Sequence, residues 1–103
     1  VIGVPEKQVK IPLFTDDLLP DMAILDPKLT TSVPPEITAN TGLDVLTHAI
    51  EAIVSTNSSD FSDALAEKAV CIVGKYLPLA YQIGENQKAR SKMHNASAMA
   101  GSI

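Results

Sequence analysis

Residues 41–52 read Thr-Gly-Leu-Asp-Val-Leu-Thr-His-Ala-Ile-Glu-Ala, and the spacing of the apolar side chains here predicts a helix. Apolar residues recur every three or four positions, which is the period of one helix face, at Leu43, Leu46, Ile50 and Ile53. Asp44 and His48 are four residues apart, so a helix places them on one face, a turn from each other. The stretch predicts a helix that anchors one face in a core and presents a polar pair on another.

A carboxylate and an imidazole on adjacent turns can serve either of two purposes. Oxygen and nitrogen ligands of this kind suit a divalent metal ion. Asp and His four apart on a helix also form surface hydrogen-bonded pairs that hold no metal, and by spacing alone this second interpretation is the commoner one. The spacing by itself therefore leaves both interpretations of Asp44 and His48 open.

Local signals give this helix its ends. Proline is tolerated in the first turn and Glu36 suits the positive N-terminal end, so the helix should begin near Pro34 and Pro35 and continue to about Ser55. Gly42 inside it costs about 1 kcal/mol relative to alanine. We therefore expect a packing or bending reason for a glycine at this position.

Two more helices should follow the loop 56–59. Ser59 or Asp60 can cap a second helix, which Pro78 should end or kink, and a third begins near Gln87. One face of the second helix is apolar: Phe61, Leu65, Ala69, Ile72, Val73 and Tyr76. The third carries a stripe that is mostly small and lets a neighbouring helix approach closely: Ala89, Met93, Ala96 and Ala100.

The first third of the chain has a different pattern. Residues 1–4 and 9–14 read as two short strands joined by a turn, and residues 22–25 form an apolar run typical of a buried strand. Residues 28–35 are rich in Thr, Ser and Pro and read as a linker. The predicted fold class is mainly α, with short N-terminal strands followed by three helices.

Composition restricts the classes of function. The 103 residues carry a net charge of −4 and no cluster of Lys or Arg, which argues against binding to nucleic acid or to an anionic membrane. The longest apolar runs are far shorter than the roughly 20 residues needed to cross a bilayer, so a cytoplasmic protein without membrane association is expected. The single cysteine, Cys71, lies among apolar residues and is expected to be buried.

An ordered series of motifs identifies a family. The run 41–52 resembles the central signature of the iron-containing (group III) alcohol dehydrogenases. Pro20-x-x-Ala-Ile-Leu-Asp-Pro-x-Leu-Thr lies upstream of it, and Ser62-Asp-x-Leu-Ala and Met93-x-x-Ala-Ser-x-x-Ala-Gly lie downstream, in the order that the family has them. Together the matches cover nearly the whole chain, which is far more specific than one motif.

The resemblance implies that this chain is a fragment. Family members are several times longer, with a dinucleotide-binding α/β domain followed by an all-helical metal-binding domain, a dehydroquinate-synthase-like architecture. Residues 1–33 would be the trailing strands and linker of the first domain, and residues 34–103 the first part of the second. The absence of an initiator Met and an end within the third helix agree with this expectation.

The resemblance also implies a site. Asp44 and His48 would be the first two of four ligands, one Asp and three His, around Fe(II), or Zn(II) in some members. The two further histidines would follow Ile103, and His94 is expected to face solvent or to lie at the edge of the core, outside the set of ligands. Lys10 would contact the dinucleotide and Leu29 the nicotinamide side, although a solvated Lys and a core Leu are the ordinary roles of such residues.

The implied reaction is hydride transfer between a primary alcohol or aldehyde and NAD or NADP, with the metal polarising the alcohol oxygen. Glu51 could orient His48, but a solvated Glu is the simpler interpretation. A glycerol- or diol-type dehydrogenase and the alcohol dehydrogenase half of a bifunctional aldehyde-alcohol dehydrogenase are related alternatives. A non-catalytic helical interaction module is a different one. The fragment is expected to be inactive alone, and a homo-oligomer could form through its exposed strand edge.

Overall fold

The computed structural model describes residues 1–102, and most of them are helical. A two-stranded antiparallel hairpin opens the chain: β1 (Ile2–Val4) and β2 (Val9–Ile11). Three 3-10 helices precede the long helices: Pro5–Lys7 between the two strands, Asp16–Leu18 and Pro27–Thr30. Three helices complete the fold: α1 (Pro35–Val54), α2 (Asp60–Gln82) and α3 (Gln87–Gly101). The predicted fold class, mainly α with short N-terminal strands, is confirmed.

Local side-chain hydrogen bonds set the helix starts close to where the sequence predicts them. The Ser59 hydroxyl accepts from the Ser62 backbone N–H while the Ser62 hydroxyl accepts from the Ser59 N–H, a reciprocal capping box at the start of α2. The Asn86 side chain accepts from the Ala89 N–H at the start of α3. These bonds pair helix N–H groups that have no partner within the helix.

The three long helices pack against one another around a core made mostly of small residues. The buried apolar residues are Val45, Ala49, Ala66, Ala69, Ile72, Val73, Tyr76, Ala80, Ala89, Ala96 and Ala100. Small side chains allow close helix approach, and Gly42 is the extreme case because Leu77 of α2 occupies the space of a Cβ there. The predicted packing reason for this glycine is confirmed. Within residues 1–102, no helix has both the length and the apolar character that spanning a membrane requires.

The buried face of α1 differs from the predicted one. Leu43, Ile50 and Ile53 are exposed and Leu46 is half-buried. The buried face instead carries Thr38, Gly42, Val45 and Ala49. The helix is rotated so that its smaller side chains face α2 and α3, because close helix packing excludes a row of Leu and Ile. The large apolar residues remain on an open face.

Three predictions for α2 are also corrected. Of the two effects predicted for Pro78, an end or a kink, the end is wrong, because the helix continues to Gln82. The carbonyl that Pro78 leaves without a helical partner belongs to Gly74, which is exposed and can be hydrated. Phe61 is 86% exposed, because it lies in the first turn, beyond the part of α2 that α1 and α3 cover. Cys71 is exposed because it lies on the side of α2 that faces away from the core.

The first third of the chain makes less regular structure than its sequence predicts. Residues 22–25 form no strand, and Met22, Ile24 and Leu25 are exposed. The second strand ends at Ile11 instead of Phe14. A strand requires a partner for its backbone groups, and the described chain offers these segments none beyond the hairpin.

Candidate metal centre

Asp44 and His48 lie side by side on the outer surface of α1. The Nε2 atom of His48 is 3.3 Å from the Oδ2 atom of Asp44, and the side chains are 58% and 69% exposed, respectively. Their neighbours Val45 and Ala49 are buried in the core, which fixes the orientation of the helix and turns the pair away from it. The pair is thus held on a rigid support with its polar atoms accessible.

The geometry of the pair fits two ligands of one metal ion. Two donor atoms that each lie about 2.1 Å from an ion and subtend about 104° at it are separated by roughly 3.3 Å. This angle is close to tetrahedral and lies within the range of five- and six-coordinate sites. The two atoms are therefore close enough together to bind one divalent cation between them.

The pair by itself would be only part of a coordination shell. Among the described residues, no group of three or more His, Cys, Asp and Glu side chains lies together in a way that could hold a metal. His48 and Glu51 line an open cleft of about 450 Å³, which is also lined by Ala100 at the end of α3. Further ligands would have to enter this cleft from beyond the described residues. Glu51 is exposed, in agreement with its interpretation as a solvated residue.

His94 lies elsewhere. It is half-buried on α3 and lines a different cavity, of about 170 Å³, together with Thr38, Thr41 and Arg90. Its Nδ1 atom is buried without a hydrogen-bond partner among the described residues. Of the two positions expected for His94, the structure shows the one at the core edge, and the two histidines of the chain face different clefts.

The two residues expected near a dinucleotide are separate from the pair. Lys10 is exposed in the middle of β2, opposite Gly3 of β1. Leu29 is 78% exposed in the 3-10 helix Pro27–Thr30, so it is not a core leucine of this chain. This 3-10 helix packs against α3. The structure therefore attaches Leu29, but not Lys10, closely to the helical part of the chain.

Arg90 is a residue of the site region that sequence reasoning missed. It is only 5% exposed, and burial lowers the pKa of its guanidinium, which nevertheless stays protonated. It donates from Nε to the Gly84 carbonyl, from Nη1 to the Thr38 hydroxyl and from Nη2 to the Val33 carbonyl. The sequence does carry one signal for this residue: it is a positively charged side chain directly after Ala89, the first residue of the mostly small stripe on α3.

Comparison with known proteins places this geometry in a family. Residues 38–103 match the model of the Fe-containing alcohol dehydrogenase family, C-terminal. The matched segment contains α1 from its fourth residue onward, with Asp44 and His48, and all of α2 and α3.

Two relatives show the extent of the sequence similarity. The chain is 64% identical over 101 residues to 1-propanol dehydrogenase PduQ of Citrobacter freundii, covering 98% of this chain and 27% of the relative. It is 51% identical over 86 residues to long-chain-alcohol dehydrogenase 1 of Geobacillus thermodenitrificans, covering 84% of this chain and 22% of that protein. The chain thus spans about a quarter of the length of the curated relatives it matches.

Solved structures agree with the sequence comparison. Sulfoacetaldehyde reductase from Bifidobacterium kashiwanohense, in complex with NAD⁺, superposes with a TM-score of 0.88 at 44% identity, over 98% of this chain and 27% of that one. Iron-containing alcohol dehydrogenase from Thermococcus thioreducens gives a TM-score of 0.80 at 47% identity, over 84% and 22% of the two chains. The chain belongs to the iron-containing alcohol dehydrogenase family.

Proposed function

We propose that the whole protein is a metal-dependent NAD(P) alcohol dehydrogenase, in which this chain supplies Asp44 and His48 as two of the metal ligands. The observation that carries the proposal is the pair itself: two ligand atoms 3.3 Å apart on an open helix face, within the segment that matches the family. The chain alone provides half of the expected ligand set and is proposed to be inactive by itself.

The chain's own residues have a limited and definite role in this chemistry. The carboxylate of Asp44 provides a hard oxygen ligand and the neutral imidazole of His48 a nitrogen ligand, a combination suited to Fe(II) or Zn(II). Both must be deprotonated at the coordinating atom, so binding should weaken as the pH falls. A divalent ion, when bound, supplies Lewis-acid polarisation of an alcohol or aldehyde oxygen, which favours hydride exchange with a nicotinamide.

The cofactor is proposed to approach from the N-terminal side of the chain. Leu29 is exposed in the 3-10 helix that packs on α3 and is proposed to lie near the nicotinamide. Lys10 of β2 is proposed to contact the dinucleotide. Residues 1–33 are accordingly proposed to belong to the dinucleotide-binding domain and residues 34–103 to the helical metal-binding domain. The NAD⁺ complex of the reductase relative supports NAD as the cofactor to test first, with NADP as the alternative.

The substrate class is proposed to be primary alcohols and their aldehydes. The relatives are named for 1-propanol, long-chain alcohols and sulfoacetaldehyde, which share a primary alcohol or aldehyde carbon and differ in the rest of the molecule. A glycerol- or diol-type enzyme, or the alcohol dehydrogenase half of a bifunctional enzyme, would use the same pair in the same way.

The test is alcohol-dependent NAD⁺ reduction by the full-length protein, after chelation and after restoration with Fe(II) or Zn(II). Asp44→Ala and His48→Ala should each lose bound metal, measured by elemental analysis, and should lower the metal-restored rate more than roughly 100-fold, beyond the loss typical of outer-shell changes. Glu51→Ala is the matched control, because this carboxylate lies one turn further along α1 and should retain metal and activity.

The outcomes separate the candidate functions. Full metal content and activity in both ligand variants would reduce the pair to a surface contact of an active enzyme. A wild type that neither binds metal nor reduces NAD⁺ would favour the non-catalytic interaction module. Metal loss in Glu51→Ala as well would mean that Glu51 orients His48 and is more than a solvated residue.

A further inference from the structure

Arg90 joins three parts of the chain that are distant in sequence. Its hydrogen bonds reach Gly84 in the turn before α3 at 2.8 Å, Thr38 in the first turns of α1 at 2.8 Å, and Val33 in the segment before α1 at 3.0 Å. No carboxylate forms a salt bridge with it in residues 1–102. Its donors are used for neutral backbone and hydroxyl oxygens, so its main effect is to hold these segments in one arrangement.

Two side chains donate hydrogen bonds to the Val33 carbonyl. It accepts from Arg90 Nη2 and also from the Thr38 hydroxyl, at 3.4 Å. The Thr38 hydroxyl in turn accepts from Arg90 Nη1. Arg90, Thr38 and Val33 thus form a closed set of hydrogen bonds between α3, α1 and the preceding segment. A planar guanidinium can hold several acceptors at fixed angles, which a lysine cannot do.

The segment held in this way is itself stiff. The Val33 N–H donates to the Thr30 carbonyl at 3.1 Å, and the Leu29 N–H to the Asp26 carbonyl at 3.2 Å. The Thr30 hydroxyl donates to the Pro27 carbonyl at 2.8 Å. Residues 26–33 therefore behave as one unit, and fixing Val33 also fixes the direction in which Leu29 projects.

We infer that Arg90 is a positioning residue: by tying Val33 to Thr38, it sets the place of the Leu29 segment relative to the helix that presents Asp44 and His48. The inference rests on the proposed function, in which Leu29 approaches the nicotinamide and the pair holds the metal. Hydride transfer requires the reacting atoms to lie about 3–3.5 Å apart in an aligned geometry, and a displacement of about 1 Å can cost roughly 100-fold in rate.

The test uses the full-length protein and separates positioning from stability. Arg90→Met should lower kcat/KM for NAD⁺ roughly 10- to 100-fold while elemental analysis finds unchanged metal content. Hydrogen exchange at the Val33 amide should become faster. Arg90→Lys should recover little, since one ammonium cannot hold three separated acceptors. Thr38→Val should change NAD⁺ kinetics in the same direction, and Thr38→Ser, which keeps the hydroxyl, should resemble the wild type.

Two controls make the result specific. Lys92→Met removes a positive charge from α3 near the Tyr76 ring, and Val73→Ala leaves a cavity in the core beside α2. Neither residue is hydrogen-bonded to Val33, so both variants leave its contacts intact. If Arg90→Met and Thr38→Val match Val73→Ala in NAD⁺ kinetics at equal loss of Tm, the inference is wrong and Arg90 is a structural residue only. Thr38→Val decides the question if Arg90→Met does not fold. An inactive wild type would instead refute the proposed function, together with the inference built on it.

Discussion

Gly42→Ala should destabilise the 103-residue chain even though alanine is the better helix former. A Cβ at Gly42 would meet Cδ1 of Leu77 and lie 2.9 Å from its Cδ2 and 3.2 Å from its Cγ. Helix propensity favours the substitution by about 1 kcal/mol, whereas overpacking a core contact costs about 1–3 kcal/mol. Because the clash includes the branch carbon, rotation of the methyl groups alone does not relieve it. The net loss should be about 1 kcal/mol.

The free energy of unfolding can be measured by urea denaturation followed by circular dichroism. In a Leu77→Ala background the same substitution should stabilise the chain by about 1 kcal/mol, because only the propensity term remains. Gly74→Ala is the matched control. Gly74 lies inside α2, a Cβ there would have no atom within 4 Å, and the substitution should raise the free energy of unfolding. A gain in stability from Gly42→Ala with Leu77 present would refute the reasoning.

Two further predictions follow from the capping box and the hairpin. Ser59→Ala should lower the free energy of unfolding by about 1 kcal/mol, because the Ser62 N–H loses its acceptor; Ser58→Ala, one residue earlier, should change it little, and equal losses would contradict the cap assignment. The isolated chain should self-associate through the open edge of the hairpin, and Ile11→Lys should abolish this because a charge on an edge strand opposes pairing. A monomeric wild-type mass by solution scattering, with the hairpin ordered, would show that this edge makes no dimer.

The helix boundaries were the most predictable feature of the fold. Pro35, Ser59 and Gln87 each lie where a proline, a cap or a turn signal predicts a helix start, and the structure agrees. These signals act over three or four residues of one segment, so they need no knowledge of the partner helices. The strand predicted at residues 22–25 failed for the opposite reason: a strand depends on a neighbouring strand, and residues 1–102 provide none for it.

The candidate site, too, was predictable from the sequence only in part. The four-residue spacing of Asp44 and His48 predicts their adjacency, and the structure shows the two side chains 3.3 Å apart. Their assignment as ligands, and the roles of Lys10 and Leu29, remain predictions. Arg90 could not be found in this way, because its partners Thr38 and Val33 are 52 and 57 residues away in the chain.

The sequence by itself determined the family, the mainly helical fold, the helix starts and the pairing of Asp44 with His48. The helix starts and the pairing depend on residue types within a turn or two of one another, and the family on an ordered series of local motifs along nearly the whole chain. Only the tertiary structure decided which face of α1 is buried, that α2 continues through Pro78, that Cys71 is exposed, and that Arg90 fastens Val33 to Thr38. These features depend on how closely three helices approach, and that distance is a property of the packed faces together.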